Sequence, residues 1–336
     1  MMSRAADHDI GIAGKTCGWT HMKGLALLVG SFAYMTALCT ECDVRTRDAK
    51  GDGVAKDTVA VQRAPAAPAA GPHRMRAVCK LGYHHPEGNG IPGNSLEAFK
   101  YGWTKGVKLI ETDCWMIKGG RIICVHDPKA LKNQCGELHN IRQLTEEDVA
   151  RIDIGKKLKT KKPVRMPYLK DIFASMPKDA IAQCELCGYT DTFADTFDAM
   201  RVSAGLSTTN FVISSSHREY LLDFRRRYPA YRTLWLYSKF FDMVKDEKAF
   251  TAWLEKVRAD GISILCPRGE TAKKRGFSLA DADRVRAAGL EFRIWGVNTP
   301  ELLAYARDLK VPAATCARWQ TVFKWAKTIP GIEVTP

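Results

Sequence analysis

From Ala77 onward, apolar runs of strand length alternate with longer stretches whose apolar positions recur at helical spacing. The runs are "AVCKLGYH", "VKLIETDC", "AIAQCEL", "NFVISS", "RTLWLY", "GISILC", "LEFRIWGV" and "VPAATC". Between them stand amphipathic patterns such as "NSLEAFKYGWTKG", "SHREYLLDFRRRY" and "EKAFTAWLEKVRAD", and "QTVFKWAKTI" closes the chain as a last helix. Asn94, Ser278 and Thr299 stand where helix start signals are expected. Eight strands, each followed by a helix, predict an α/β fold of the (β/α)8 TIM-barrel type over residues 74–336. A doubly wound open sheet is the alternative, and the chain lacks its glycine fingerprint.

One stretch breaks the alternation. After the second run the chain reads "WMIKGGRIICVHD", whose Gly119-Gly120 pair predicts a hairpin. Residues 127–166 then form an excursion between the second and third barrel strands, expected at the barrel's active end.

Residues 1–39 read differently. "MKGLALLVGSFAYMTALC", from Met22 to Cys39, has one lysine and then an apolar run too short for a comfortable membrane span. This is the pattern of a secretory signal peptide, with Met22 as an alternative initiator and an uncleaved anchor as the rival. Leu38 precedes Cys39 where a lipoprotein signal would carry a small residue, which disfavours lipidation. Residues 40–73 show no apolar periodicity, and "RAPAAPAAGP" is a Pro/Ala spacer that cannot build a core. The chain is therefore expected to be exported, periplasmic or secreted, with no stable membrane span in its mature form.

The formal net charge of +14 changes the picture further. Up to His73 there are eight Lys/Arg against seven Asp/Glu, so nearly all the excess lies in the barrel region and suits an anionic substrate. No zinc-finger spacing, RNP-like aromatic motif or basic heptad region accompanies it, so no nucleic-acid partner is expected. Cys79, Cys114, Cys124, Cys184, Cys266 and Cys316 fall in or beside apolar runs, where a free thiol behaves as a small hydrophobe. "CELC" has no second pair at zinc-site spacing. Disulfide pairing and oligomeric state are left open.

Barrel active sites gather at the C-terminal ends of strands, so the polar residues closing each run are the candidates. The first run ends in His84 and His85. The second supplies Glu111 and Asp113, at i and i+2 and hence on one face, and "CVHD" brings His126 close. The third carries Glu185 among apolar residues, and the seventh holds Trp295. Three carboxylates cannot crowd together without a counter-charge, and one hard divalent cation, Mg²⁺ or Ca²⁺, is the natural one.

The order His…Asn-Ser…Ile-Glu-x-Asp…His-Asp…Glu resembles the glycerophosphodiester phosphodiesterases, metal-dependent (β/α)8 barrels that act on deacylated phospholipid head groups. The resemblance runs from about Val78 to the C-terminus and is densest in "LIETDCWMIKGGRIICVHD". It implies His84 and His126 as catalytic histidines, Glu111, Asp113 and Glu185 as metal ligands, and His85 and Trp295 at the substrate. It also implies a small anionic phosphodiester as the partner, cleaved to an alcohol and a phosphomonoester. Four positions depart from the pattern: His85 replaces an arginine, Pro86 a glycine, Gly93 a glutamate, and Cys187 a lysine. Two fixed cations near the phosphate are thereby lost, which keeps a non-catalytic head-group-binding barrel open as an alternative. A lyase giving a cyclic phosphate is another. "GKKLKTKKPVR", residues 155–165, is a basic loop that could supply the missing charge or simply be a solvated face.

Overall fold

The computed structural model describes residues 71–84 and 89–336. The signal-like segment, all of the spacer except its last three residues, and His85 lie outside the described residues. Its strands are β1 (His73–Lys80), β2 (Leu109–Met116), β3 (Ile122–Cys124), β4 (Ile181–Gly188), β5 (Phe211–Ser215) and β6 (Arg232–Trp235). β7 (Ile264–Leu265), β8 (Glu291–Phe292), β9 (Ile294–Trp295), β10 (Ala313–Cys316) and β11 (Ile332–Thr335) follow.

Parallel pairing runs from β1 through β2, β4, β5, β6 and β7 to β8, and from the other edge of β1 through β10 to β9. β8 and β9 are consecutive pieces of one segment. On one side of it the Arg293 N–H donates to Leu265 O at 3.0 Å; on the other, Gly296 N–H donates to Thr315 O at 2.9 Å. The ring is thus joined through Glu291–Trp295, and the eight predicted strands form one α/β barrel in the predicted order. β11 adds to the N-terminal half of β1, and β3 folds back antiparallel on β2 through the Gly119–Gly120 turn, where both glycines have positive φ.

Side-chain alternation builds two layers of packing. Val78, Leu109 and Ala313 pack together with Ile181, and Val212, Leu234, Ile264 and Cys266 form a neighbouring cluster, filling the barrel. The opposite faces, among them Cys79, Ile110, Cys114, Phe211 and Ile213, join the large core shared with the helices. Residues 127–166 carry helices Pro128–Cys135 and Glu146–Arg151. This segment has its own apolar cluster, including Leu131, Ile141, Val149, Ile154 and Met166. All eight described cysteines are free thiols, seven of them buried. Among the described residues no helix is long and apolar enough to cross a membrane.

Two local expectations need correction. β1 stops at Lys80, because Leu81 (φ 57°) and Gly82 (φ 72°) adopt left-handed backbone and end the extended run. His84 therefore lies beyond the strand in a loop, and strand alternation does not set its direction. The first helix, Leu96–Thr104, is capped by Ser95, whose Oγ accepts the Ala98 N–H, and not by Asn94. Ser278 and Thr299 do cap their helices.

Candidate active site

Lys80, Glu111, His126, Gln183, Glu185, Ser216, Leu236, Ser238, Trp295 and Thr315 line a cavity of about 200 Å³. Lys80 and Trp295 close barrel strands and Ser216 and Leu236 directly follow them, so the cavity lies toward the strands' C-terminal ends, where such barrels carry their sites. The carboxylates come from two neighbouring strands. Glu111 and Asp113 alternate inward with Leu109 on β2, and on β4 Gln183 pairs with Glu111 and Glu185 with Asp113. After Cys114 the register slips by one: Leu186 faces Cys114 but Gly188 faces Trp115, leaving Cys187 as a bulge. Gly188 is required there, since a Cβ would stand 2.6 Å from the Trp115 ring.

Ligand atoms of Asp113, Glu185 and Cys187 all lie within 4.8 Å of one another. Glu111 flanks them, its Oε1 3.6 Å from Lys80 Nζ and its Oε2 accepting the Leu81 N–H at 3.3 Å. Burial and the neighbouring carboxylates push Glu185 up to about 8. Burial raises Glu111 to about 7, against the pull of Lys80. Burial also lowers Lys80, but Glu111, Asp113 and Glu185 overcome it and hold the ammonium well above its ordinary value. Burial and the same carboxylates keep the Cys187 thiol protonated, so it offers no thiolate. What remains is a cluster of carboxylate oxygens short of positive charge, which fits a divalent cation.

His126 follows β3, with Nδ1 2.6 Å from Asp127 Oδ2. Asp127 also caps the helix Pro128–Cys135, its Oδ1 accepting the Ala130 N–H at 2.7 Å. Burial raises this carboxyl, yet the Ala130 N–H and His126 bring it below the usual carboxylate range. An anion anchored at a helix start thus fixes the imidazole tautomer, with the proton on Nδ1 and Nε2 left for chemistry. Asn94, buried with φ 58°, spans two strand residues: Nδ2 donates to Asp113 Oδ2 at 3.0 Å, and Oδ1 accepts the Thr112 hydroxyl at 2.9 Å. Asn94→Ala strips both bonds and is expected to cost about 1–3 kcal/mol. Thermal melts check this, and an unchanged midpoint would show that Asn94 does not hold Asp113.

The structure thus brings Glu111, His126, Glu185 and Trp295 to one cavity, with Asp113 in the buried layer beside it. His84 is not among the lining residues. It is buried, its Nδ1 is 2.8 Å from Gly82 O, and its Cδ2 lies where a Cβ on Gly93 would come within 2.9 Å. That contact explains the glycine at 93, because a glutamate there would displace the imidazole. Three residues of the site escape a reading of the sequence, one of them Gln183, an ordinary amide within "AIAQCEL". Asp127 stands in "CVHD" but reads there only as part of the dipeptide. Lys80 is hidden by the misplaced strand end; counting i+2 from Val78 finds it.

A family model, that of the glycerophosphoryl diester phosphodiesterase family, matches residues 84–318. A curated glycerophosphodiester phosphodiesterase from Caldanaerobacter subterraneus is 28% identical over 105 residues, which is 31% of this chain and 43% of that relative, so the match spans less than half of the relative's length. Among solved structures, the glycerophosphodiester phosphodiesterase of Thermotoga maritima superposes with a TM-score of 0.58 at 19% identity, covering 75% of this chain and 98% of that one. An Oleispira antarctica phosphodiesterase, solved in complex with the product sn-glycerol-3-phosphate, gives 0.59 at 15% identity over 75% and 96%. With a barrel of the same fold and a match across most of the described region, the chain belongs to the glycerophosphoryl diester phosphodiesterase family.

Proposed function

We propose that the cavity hydrolyses a phosphodiester of the glycerophosphodiester class to an alcohol and a phosphomonoester. Asp113 and Glu185, with Glu111 beside them, would hold one divalent cation, Mg²⁺ or Ca²⁺. When bound, the cation supplies positive charge against a non-bridging phosphate oxygen.

His126 is the proton carrier the geometry supports best. Its Nε2 takes the proton of the attacking hydroxyl, from water or from the substrate, and Asp127 stabilises the imidazolium that forms. In an in-line displacement the alkoxide departs on the opposite side of the phosphorus, out of reach of that nitrogen, so on this geometry its proton comes from water. The resemblance assigns the second proton to His84 instead. Gln183, whose buried Oε1 has no hydrogen-bond partner among the described residues, is placed to accept from a substrate hydroxyl. Trp295 gives the cavity an apolar wall, with the Arg268 guanidinium over its ring.

The observation that carries this reading is the meeting of a buried carboxylate cluster and an aspartate-backed imidazole on one small cavity. The product complex of the Oleispira antarctica relative supports a glycerol-bearing substrate. Phosphorus NMR of a reaction with a panel of glycerophosphodiesters tests it. A free phosphomonoester is expected; a cyclic phosphate as the only end product would move the protein to the lyases, and no conversion of any diester would leave a binding barrel. The signal-like residues 1–39 support export, and cell fractionation that found the chain only in the cytoplasm would contradict it.

A further inference from the structure

The two cations that the family pattern brings to the phosphate are replaced here by His85 and Cys187. The basic loop at 155–165 does not make up for them at the cavity. Lys156 Nζ lies 3.5 Å from Glu137 Oε1, and Arg165 donates to Arg151 O at 2.8 Å. The Lys157 chain lies over Gly136, where a Cβ would come within 3.1 Å of its Cε. No cation of that loop is among the described residues lining the cavity; Lys80 is the one Lys or Arg that is.

We propose that Lys80 is the phosphate-binding cation of this site, supplying from the first strand the charge that the family carries after the third-strand glutamate. The inference rests on the reading of the cavity as a phosphodiester site. Lys80 is the last residue of β1 and shares the inward face with Val78. Its Nζ stands 3.6 Å from Glu111 Oε1, an ion pair without a tight hydrogen bond, so the ammonium keeps donors for another acceptor. Its side chain is 24% exposed, and the cavity is where a ligand would meet it. Cys187 borders the same carboxylates, with Sγ 4.0 Å from Asp113 Oδ1, so the two positions serve one cluster. Charge balance points the same way: three carboxylates, one ammonium and one divalent cation leave a neutral site for an anion to enter. Without Lys80 the phosphate would meet a net negative one. The ammonium moves no proton; it donates to a non-bridging oxygen and follows the charge that builds there.

The test uses Lys80→Met, Lys80→Arg and the wild type with excess Mg²⁺, with inorganic phosphate as probe by calorimetry and a glycerophosphodiester in steady-state kinetics. Lys80→Met is expected to weaken phosphate binding by roughly 10- to 100-fold, the worth of a hydrogen bond between charged groups, and Lys80→Arg to recover most of the loss. Should Lys80→Met fail to fold, Lys80→Gln carries the same comparison. A variant that melts earlier yet binds phosphate as the wild type does would reduce Lys80 to a structural counter-ion and overturn the proposal. Because phosphate binding is read without turnover, a wild type that cleaves no diester would sink the function and leave Lys80 separately judged.

Discussion

His126→Ala is expected to lower turnover of a glycerophosphodiester by roughly 10²- to 10⁴-fold, the range for losing a general acid–base group. Its effect on stability should stay within about 0.5 kcal/mol, because the side chain is 42% exposed and the Asp127 cap on Ala130 remains. His84→Ala should behave in the opposite way. That imidazole is buried, bonded to Gly82 O and packed at Gly93, so its loss should cost about 1–3 kcal/mol. It should change turnover by less than about tenfold if it carries no transferred proton. The two variants assayed side by side, with melting curves for both, decide between geometry and family pattern. Equal losses of turnover in two folded variants would restore the two-histidine assignment.

The second large effect concerns the carboxylates and pH. Glu111 and Glu185 are pushed up to about 7 and about 8, so in the metal-free protein the folded state keeps protons that the unfolded chain has already released. Wherever the folded state binds more protons, stability falls as pH rises. The contribution is therefore intact below about pH 4.5, the ordinary value for glutamate, and lost as pH climbs through about 7 to 8. Metal-free protein should melt progressively earlier between about pH 5 and 9 on that basis. Glu185→Gln should flatten the slope. Mg²⁺ or Ca²⁺ should raise the melting point most at alkaline pH; a cation at a hundredfold excess over its Kd contributes about 2.7 kcal/mol. A melting point that rises with pH in chelator, or one indifferent to either cation, would remove the carboxylates from the metal-binding role.

The barrel was legible because parallel strands buried on both faces read as near-continuous apolar runs, and the helices between them keep their own period. The carboxylates were legible for a related reason: Glu111, Asp113 and Glu185 interrupt such runs, and an interruption there is costly unless it has a use. The strand end at Lys80 was not legible. "LGYHH" continues the apolar pattern of "AVCK", and only the backbone reveals that Leu81 takes a left-handed conformation that a leucine rarely adopts. The continued apolar pattern hides Lys80 as the residue that closes the strand. Asn94 gave a different kind of misdirection. Its residue type suits a helix cap, but the cap fell to Ser95, and Asn94 is instead bonded to Asp113 and Thr112 across the fold. Contacts between distant positions of this kind have no local sequence signal. The basic loop at 155–165 stands out by charge alone, yet its Lys156, Lys157 and Arg165 side chains meet Glu137, Gly136 and Arg151.

One measurement bears most directly on the claim that these carboxylates and His126 form a metal-assisted phosphodiesterase site. It is the initial rate of glycerophosphodiester hydrolysis by the full chain, first in excess chelator and then with Mg²⁺ or Ca²⁺ restored. Activity should be lost in chelator, recover with one of the two cations, and fail to recover in Asp113→Asn. Full turnover in chelator by the wild-type protein would contradict the claim.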